Sequence, residues 1–170
     1  MRWGRPGTNS QRGFTLVEAL VAMAIASSIT GAISTGIYQV FTSHVQSTAH
    51  MTAIKQVENA IHWLSRDVQQ AQVLDLGPDS GFPVNLTWVN WDGVVEQVTY
   101  TLVGDELERA YSTGGGPVTN VVARHIDSDS AETNLQFIDG VFTFKITASV
   151  AGSRPALESR VGEIMPRAAQ

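Results

Sequence analysis

Glu18 is the residue of this chain whose chemistry conflicts most with its surroundings. From Phe14 to Val40 the sequence holds no other Asp, Glu, Lys or Arg, so this carboxylate stands alone in an apolar run. At that depth in a bilayer an ionisable side chain costs about 2.5–3.5 kcal/mol, and by default it serves a function and needs a partner. The other residues able to do chemistry are dispersed. His44, His50, His62 and His125 contain no His-Glu-x-x-His zinc pair. There is no Gly-x-Ser-x-Gly elbow, so the many Ser and Asp residues define no nucleophile. Gly114-Gly115-Gly116-Pro117 lacks the Gly-Lys-Ser/Thr of a phosphate loop and reads as a flexible hinge. Asp127, Asp129 and Glu132 form the only dense acidic group. Alternate Asp residues suit Ca²⁺, but the Gly and closing bidentate Glu of an EF-hand loop are missing, and a solvated acidic loop is the expectation. Cys is absent, which excludes disulfides, thiol catalysis and Cys-based zinc sites. No catalytic residue, metal or cofactor is expected, and the chain reads as a non-enzyme.

The elements that place Glu18 follow from the pattern around it. Between Phe14 and Leu76 there is no Pro, and the only Gly residues are Gly31 and Gly36, so a long helix from Phe14 to about Leu74 is predicted. Its uncharged first part has the roughly 20 residues a bilayer span needs. There Ser27, Gly31 and Thr35 repeat at four-residue spacing, which suits close approach of membrane helices and equally a lipid-facing helix that merely tolerates small residues. Beyond Phe41, His50, Ile54, Val57, Ile61, Leu64, Val68 and Ala71 draw one mostly apolar stripe. A stripe of that kind must be covered by the rest of the chain. Gly77-Pro78-Asp79-Ser80-Gly81 is expected to end the helix. Strands are predicted over 84–91, 94–103, 107–111, 118–126, 135–138, 141–150 and 159–165, with hairpin turns at Asp92-Gly93 and Gly104-Asp105. Trp88 and Trp91 cannot share a face of one regular strand, so one is expected in the core and the other as a contact anchor. A long helix followed by antiparallel strands is α+β, with the sheet laid over the helix stripe.

Charge is distributed unevenly. The 170 residues carry 11 Lys+Arg and 16 Asp+Glu, a net −5. Arg2, Arg5 and Arg12 all precede Gly13, and no acidic residue does. Without residues 1–13 the chain keeps eight basic and 16 acidic residues, a net −8. A basic leader before an apolar span and an acidic body after it predict a cytoplasmic N-terminus and an extracytoplasmic, periplasmic C-terminal domain. No basic patch exists to neutralise phosphates, so nucleic acid is not an expected partner.

The stretch Arg12-Gly13-Phe14-Thr15-Leu16-Val17-Glu18, leading into a long apolar helix, resembles the N-terminus of type IV pilins and pseudopilins. The resemblance implies cleavage between Gly13 and Phe14 by prepilin peptidase, a membrane aspartyl protease, and N-methylation of Phe14. It also implies that Glu18 serves assembly, pairing with the N-terminal amine of a neighbouring subunit. The implied organisation is a leader over 1–13, a transmembrane and assembly half of the first helix over 14–41, and a pilin-like extracytoplasmic domain over 42–170. Leu64-Ser65-Arg66-Asp67-Val68-Gln69-Gln70-Ala71, Val98-Thr99-Tyr100-Thr101-Leu102 and Leu107-Glu108-Arg109 are similar to the J-type minor pseudopilin of type II secretion. That likeness implies a structural subunit of the inner membrane, acting with other major and minor pseudopilins at a filament tip. Many pilins carry a Pro in the first helix, and this chain does not.

The alternative is a membrane-anchored or secreted enzyme or binding domain that uses its N-terminus only for targeting. A signal peptide would draw its basic region from Arg2, Arg5 and Arg12 and its cut from Ala22-Met23-Ala24 or Ala24-Ile25-Ala26. Glu18 lies where such a core is uncharged, and apolarity continues past either cut to Phe41. Both features favour the pilin-like reading.

Overall fold

The computed structural model describes residues 15–152 and 155–166. Gly13 and Phe14 lie outside the described residues. The chain divides into two compact units, residues 1–43 and 44–170. Helix α1 runs over Leu16–Gln70. In the first unit it is wholly uncovered: Leu20, Val21, Ile25, Ile29, Ile33 and Ile37 are all more than half exposed. This part of α1 is long and apolar enough to cross a membrane.

The second unit is α+β, with α1 packed against antiparallel sheets. Strands β1 (Val73–Gly77), β2 (Gly81–Val89), β3 (Val95–Val103), β4 (Glu106–Ser112) and β5 (Val118–Ala123) form a five-stranded meander. Strands β6 (Asn134–Ile138), β7 (Val141–Val150) and β8 (Ala156–Ile164) form a second, three-stranded one. The sequence anticipated one sheet over the helix stripe; the stripe is in fact covered by two. Alternate residues of β2 (Phe82, Val84, Leu86, Trp88) and of β7 (Phe142, Phe144, Ile146, Ala148) face one core with the helix, as period-2 patterning requires. Trp88 is 8% exposed and Trp91 is 92% exposed.

The helix contributes Ala53, Val57, Ala60, Leu64 and Val68 to that core, and Ala71 joins them just past its end. This is the expected stripe turned slightly about the helix axis. His50 is exposed and Ile54 and Ile61 are only half-buried, while Ala53 and Ala60 are fully buried. Alanine at the contact line lets the sheets approach the helix closely, and the larger isoleucines flank it.

The helix also ends sooner than expected. Val73–Gly77 is a strand, paired antiparallel with β2 from Val73 opposite Thr87 to Gly77 opposite Gly81. The Gln72 backbone N–H donates to the Thr87 carbonyl at 2.9 Å, so sheet pairing replaces the helical ladder as soon as a strand lies alongside. Pro78-Asp79-Ser80 is therefore a hairpin turn and not a helix terminus. Gly81 in that turn has φ +91°, and a Cβ there would meet the Leu135 Cβ and carbonyl oxygen at 2.6 Å. Only glycine fits, and its absent side chain lets β6 reach the hairpin, where the Leu135 N–H donates to the Ser80 carbonyl at 2.8 Å. The Ile126–Ala148 bridge ties the segment following β5 to β7.

Candidate functional site

Glu18 lies in the first turn of α1. Its backbone N–H donates to the Thr15 hydroxyl at 3.3 Å, and the Ala19 N–H donates to the Thr15 carbonyl at 3.2 Å. Thr15 thus caps the helix, and Thr-x-x-Glu places the acid at the third helical position. There its charge complements the positive end of the helix dipole. The side chain is exposed and forms no ion pair among the described residues. The nearby hydroxyls are all satisfied within the helix. Ser27, Ser28, Thr30, Ser34 and Thr35 each donate to the carbonyl four residues earlier, at 2.8–2.9 Å. Polar side chains that bond back to their own helix are tolerated in hydrocarbon. Glu18 is the exception, because a carboxylate cannot donate. Around Gly31 and Gly36 a Cβ would meet nothing within 4 Å among the described residues.

A second polar constellation lies inside the 44–170 unit. Asp67 is fully buried on the core face of α1. Its Oδ2 accepts from the Tyr100 hydroxyl at 2.6 Å and from Arg109 Nε at 2.6 Å. Tyr100 on β3 and Arg109 on β4 are register partners, so the two donors arrive side by side. Oδ1 has no hydrogen-bond partner, and Arg66 Nε stands 3.5 Å from it. The Arg109 guanidinium lies 5.0 Å from the Trp63 ring and 5.2 Å from the Tyr111 ring, and Arg66 lies 4.7 Å from Trp63. Burial, then the Asp67 charge and hydrogen bond, push the Tyr100 hydroxyl well above its ordinary 10.0. Burial disfavours the Arg109 cation, but the Asp67 hydrogen bond and charge more than offset it, so the Arg109 pKa is raised and the cation is held. A fully buried carboxylate between a neutral tyrosine and a cation fastens helix to sheet and offers no open face to a solute.

The sequence did not single out this constellation. A signal was present in the pattern: Asp67 falls on the core side of the helix, and Arg109 has the inward parity of Leu107 on β4. Two ionisable groups at buried positions require each other.

The acidic group is occupied locally. Asp127 Oδ1 accepts from the Asp129 N–H at 3.0 Å, and Asp129 Oδ1 accepts from the Ala131 N–H at 2.9 Å. Glu132 pairs with Lys145 at 3.2 Å. No group of three or more His, Asp or Glu is arranged to hold a metal among the described residues. An open cleft of about 260 Å³ lies beside the β1–β2 turn, lined by Asp79, Ser80, Pro83, Thr101 and Ser128 among others. Among the described residues, no His, Lys or Arg lines it.

Residues 8–34 match the prokaryotic N-terminal methylation motif. The matched segment contains Gly13, Phe14 and Glu18. It supports a type IV pilin-like chain, and with the uncovered apolar helix it supports anchoring in the inner membrane. A comparison with curated proteins finds no match.

Proposed function

We propose that this chain is a minor pseudopilin or minor pilin, a structural subunit of a type II secretion pseudopilus or a related filament, working in its tip complex. Residues 1–13 are the leader, 14–41 the membrane and assembly segment, and 42–170 an extracytoplasmic domain. Prepilin peptidase cuts between Gly13 and Phe14, and the new Phe14 amine is methylated. The observation that carries this reading is Glu18, an exposed carboxylate with no ion-pair partner among the described residues, inside a helix that matches the methylation motif. In hydrocarbon, the carboxylate of one subunit and the Phe14 ammonium of its neighbour neutralise each other. Each charge alone costs several kcal/mol to bury, roughly, and a register error of one residue leaves both facing lipid. Pairing therefore favours assembly and sets its stagger. The acidic 42–170 domain stays outside the cytoplasm, and the other major and minor subunits are its partners.

Intact-mass and N-terminal analysis of the protein from native membranes tests processing. The expected mature chain begins with N-methyl-Phe14. A chain beginning near Ser27 would mean an ordinary signal peptidase and would return the reading to a targeted enzyme or binding domain. Assembly is tested by Glu18→Val in a strain carrying only that variant. Insertion and cleavage should persist, since a charge leaves the apolar segment, while crosslinking to neighbouring subunits and filament function fall. The loss is partial if a tip subunit has fewer such neighbours. Wild-type assembly by the Val variant would remove the role given to Glu18.

A further inference from the structure

Strand β8 is the outer edge of the three-stranded sheet. It pairs residue for residue with β7, from Phe142 opposite Ile164 to Val150 opposite Ala156, with no bulge. Among the described residues, no backbone hydrogen bond reaches it from any other element. It is nine residues long and contains no Pro, with Leu157 54% and Val161 74% exposed. Natural proteins usually blunt such edges by shortening them or by adding Pro, Lys or a bulge, because an open row of N–H and C=O groups templates another strand. Here the edge is long, regular and partly apolar.

Its sequence specifies which strand fits. Reading outward from Ser159, Glu158 is mirrored by Arg160, then Leu157 by Val161, then Ala156 by Gly162. The strand is thus a chemical palindrome: acid mirrors base, aliphatic mirrors aliphatic, small mirrors small. We propose that β8 is a self-pairing edge that joins a second copy of this chain antiparallel about Ser159, merging two three-stranded sheets into one across a twofold axis. In that register each Glu158 lies opposite the Arg160 of the other copy, and each Leu157 lies opposite a Val161. Side chains alternate faces, so the aliphatic pairs and the two serines share one face and both ion pairs share the other. Other registers lose this match. Centring on Arg160 sets two arginines opposite each other and Leu157 opposite Glu163. Sliding by one residue sets Leu157 opposite Arg160, moving every side chain to the wrong face. Residues 156–162 carry no net charge, so two copies approach without repulsion at the contact. Within one chain Arg160 Nε already reaches Glu158 Oε1 at 3.1 Å, so both charged groups stand in place at the open edge. The twofold arrangement is isologous, the commonest form of self-association.

The chain has no Cys, so one can be placed at the symmetry centre without background. Directly opposed Cβ atoms in an antiparallel pair are about 4.5–5.5 Å apart, close to the reach of a disulfide. The full-length chain carrying Ser159→Cys is purified in detergent, oxidised mildly and followed on non-reducing gels. It should form covalent dimer about tenfold faster than Glu163→Cys, whose mirror position is Pro155. In the Ser159→Cys background, Arg160→Glu sets glutamates opposite each other twice and should slow crosslinking about tenfold. Adding Glu158→Arg swaps the charges and should restore the rate. Equal rates for the two cysteine positions would overturn the proposal. So would failure of the charge swap to rescue, provided the melting temperatures of the variants match.

Discussion

Replacing Asp67 by Asn removes one charge from the most deeply buried ion pair among the described residues. Asp67 is fully buried, and its Oδ2 takes two hydrogen bonds of 2.6 Å, from Tyr100 and Arg109. In the variant the Arg109 cation, itself 8% exposed, keeps its place without a counter-charge. Breaking a buried pair from one side costs about 3–5 kcal/mol. The faces of Trp63 and Tyr111 still attract the guanidinium, an effect of about 0.5–2 kcal/mol, so the lower end of that range, about 3 kcal/mol, is expected. For a domain of this size that lowers the melting temperature by about 10 °C, measurable by circular dichroism or differential scanning fluorimetry of the chain in detergent. The decisive companion is the double variant Asp67→Leu with Arg109→Met. If the penalty comes from an orphaned charge, exchanging both partners for apolar groups should recover most of the stability. A double variant as unstable as the sum of its single changes, or an Asp67→Asn variant that melts like wild type, would refute the reasoning.

Tyr100 adds a pH dependence whose sign is fixed. Its folded-state pKa is raised above the ordinary 10.0, so its contribution is complete below pH 10 and is lost as pH rises beyond it, by up to about 1.4 kcal/mol per pH unit. Tyr100→Phe should flatten that alkaline slope, and titrating the melting temperature between pH 8 and 11, roughly the window around the ordinary tyrosine value, checks it. Leu64→Ala should cost about 2–5 kcal/mol, because Leu64 is 1% exposed at the helix–sheet contact; a melting temperature unmoved by the change would place that residue outside the core. Gly13→Leu should leave an uncut precursor in the membrane, since a protease that fits its cleft to a backbone without Cβ cannot admit the larger residue. Immunoblotting distinguishes precursor from mature chain, and normal maturation would count against cleavage at that bond.

Local and one-dimensional signals are what the sequence by itself determined. The apolar run with one carboxylate, the helix spacing through Val57, Leu64 and Val68, and the alternation of Val98, Tyr100 and Leu102 all depend on near neighbours in the chain. Those signals sufficed for a long helix followed by antiparallel strands, and for placing most strands within a few residues of their observed bounds. Tertiary structure decided the rest, because the deciding partner lies far away in the chain. Val73–Leu76 carries no local helix breaker, and it becomes a strand only because β2 stands beside it to take its hydrogen bonds. Alanines 53 and 60, rather than isoleucines 54 and 61, line the core because two sheets close on that side of the helix. Asp67 is separated by 33 residues from Tyr100 and by 42 from Arg109, so their union is visible only once three elements meet. Propensity and period act within a turn or two of chain, whereas burying a charge or ending a helix against a strand depends on which surfaces fold together.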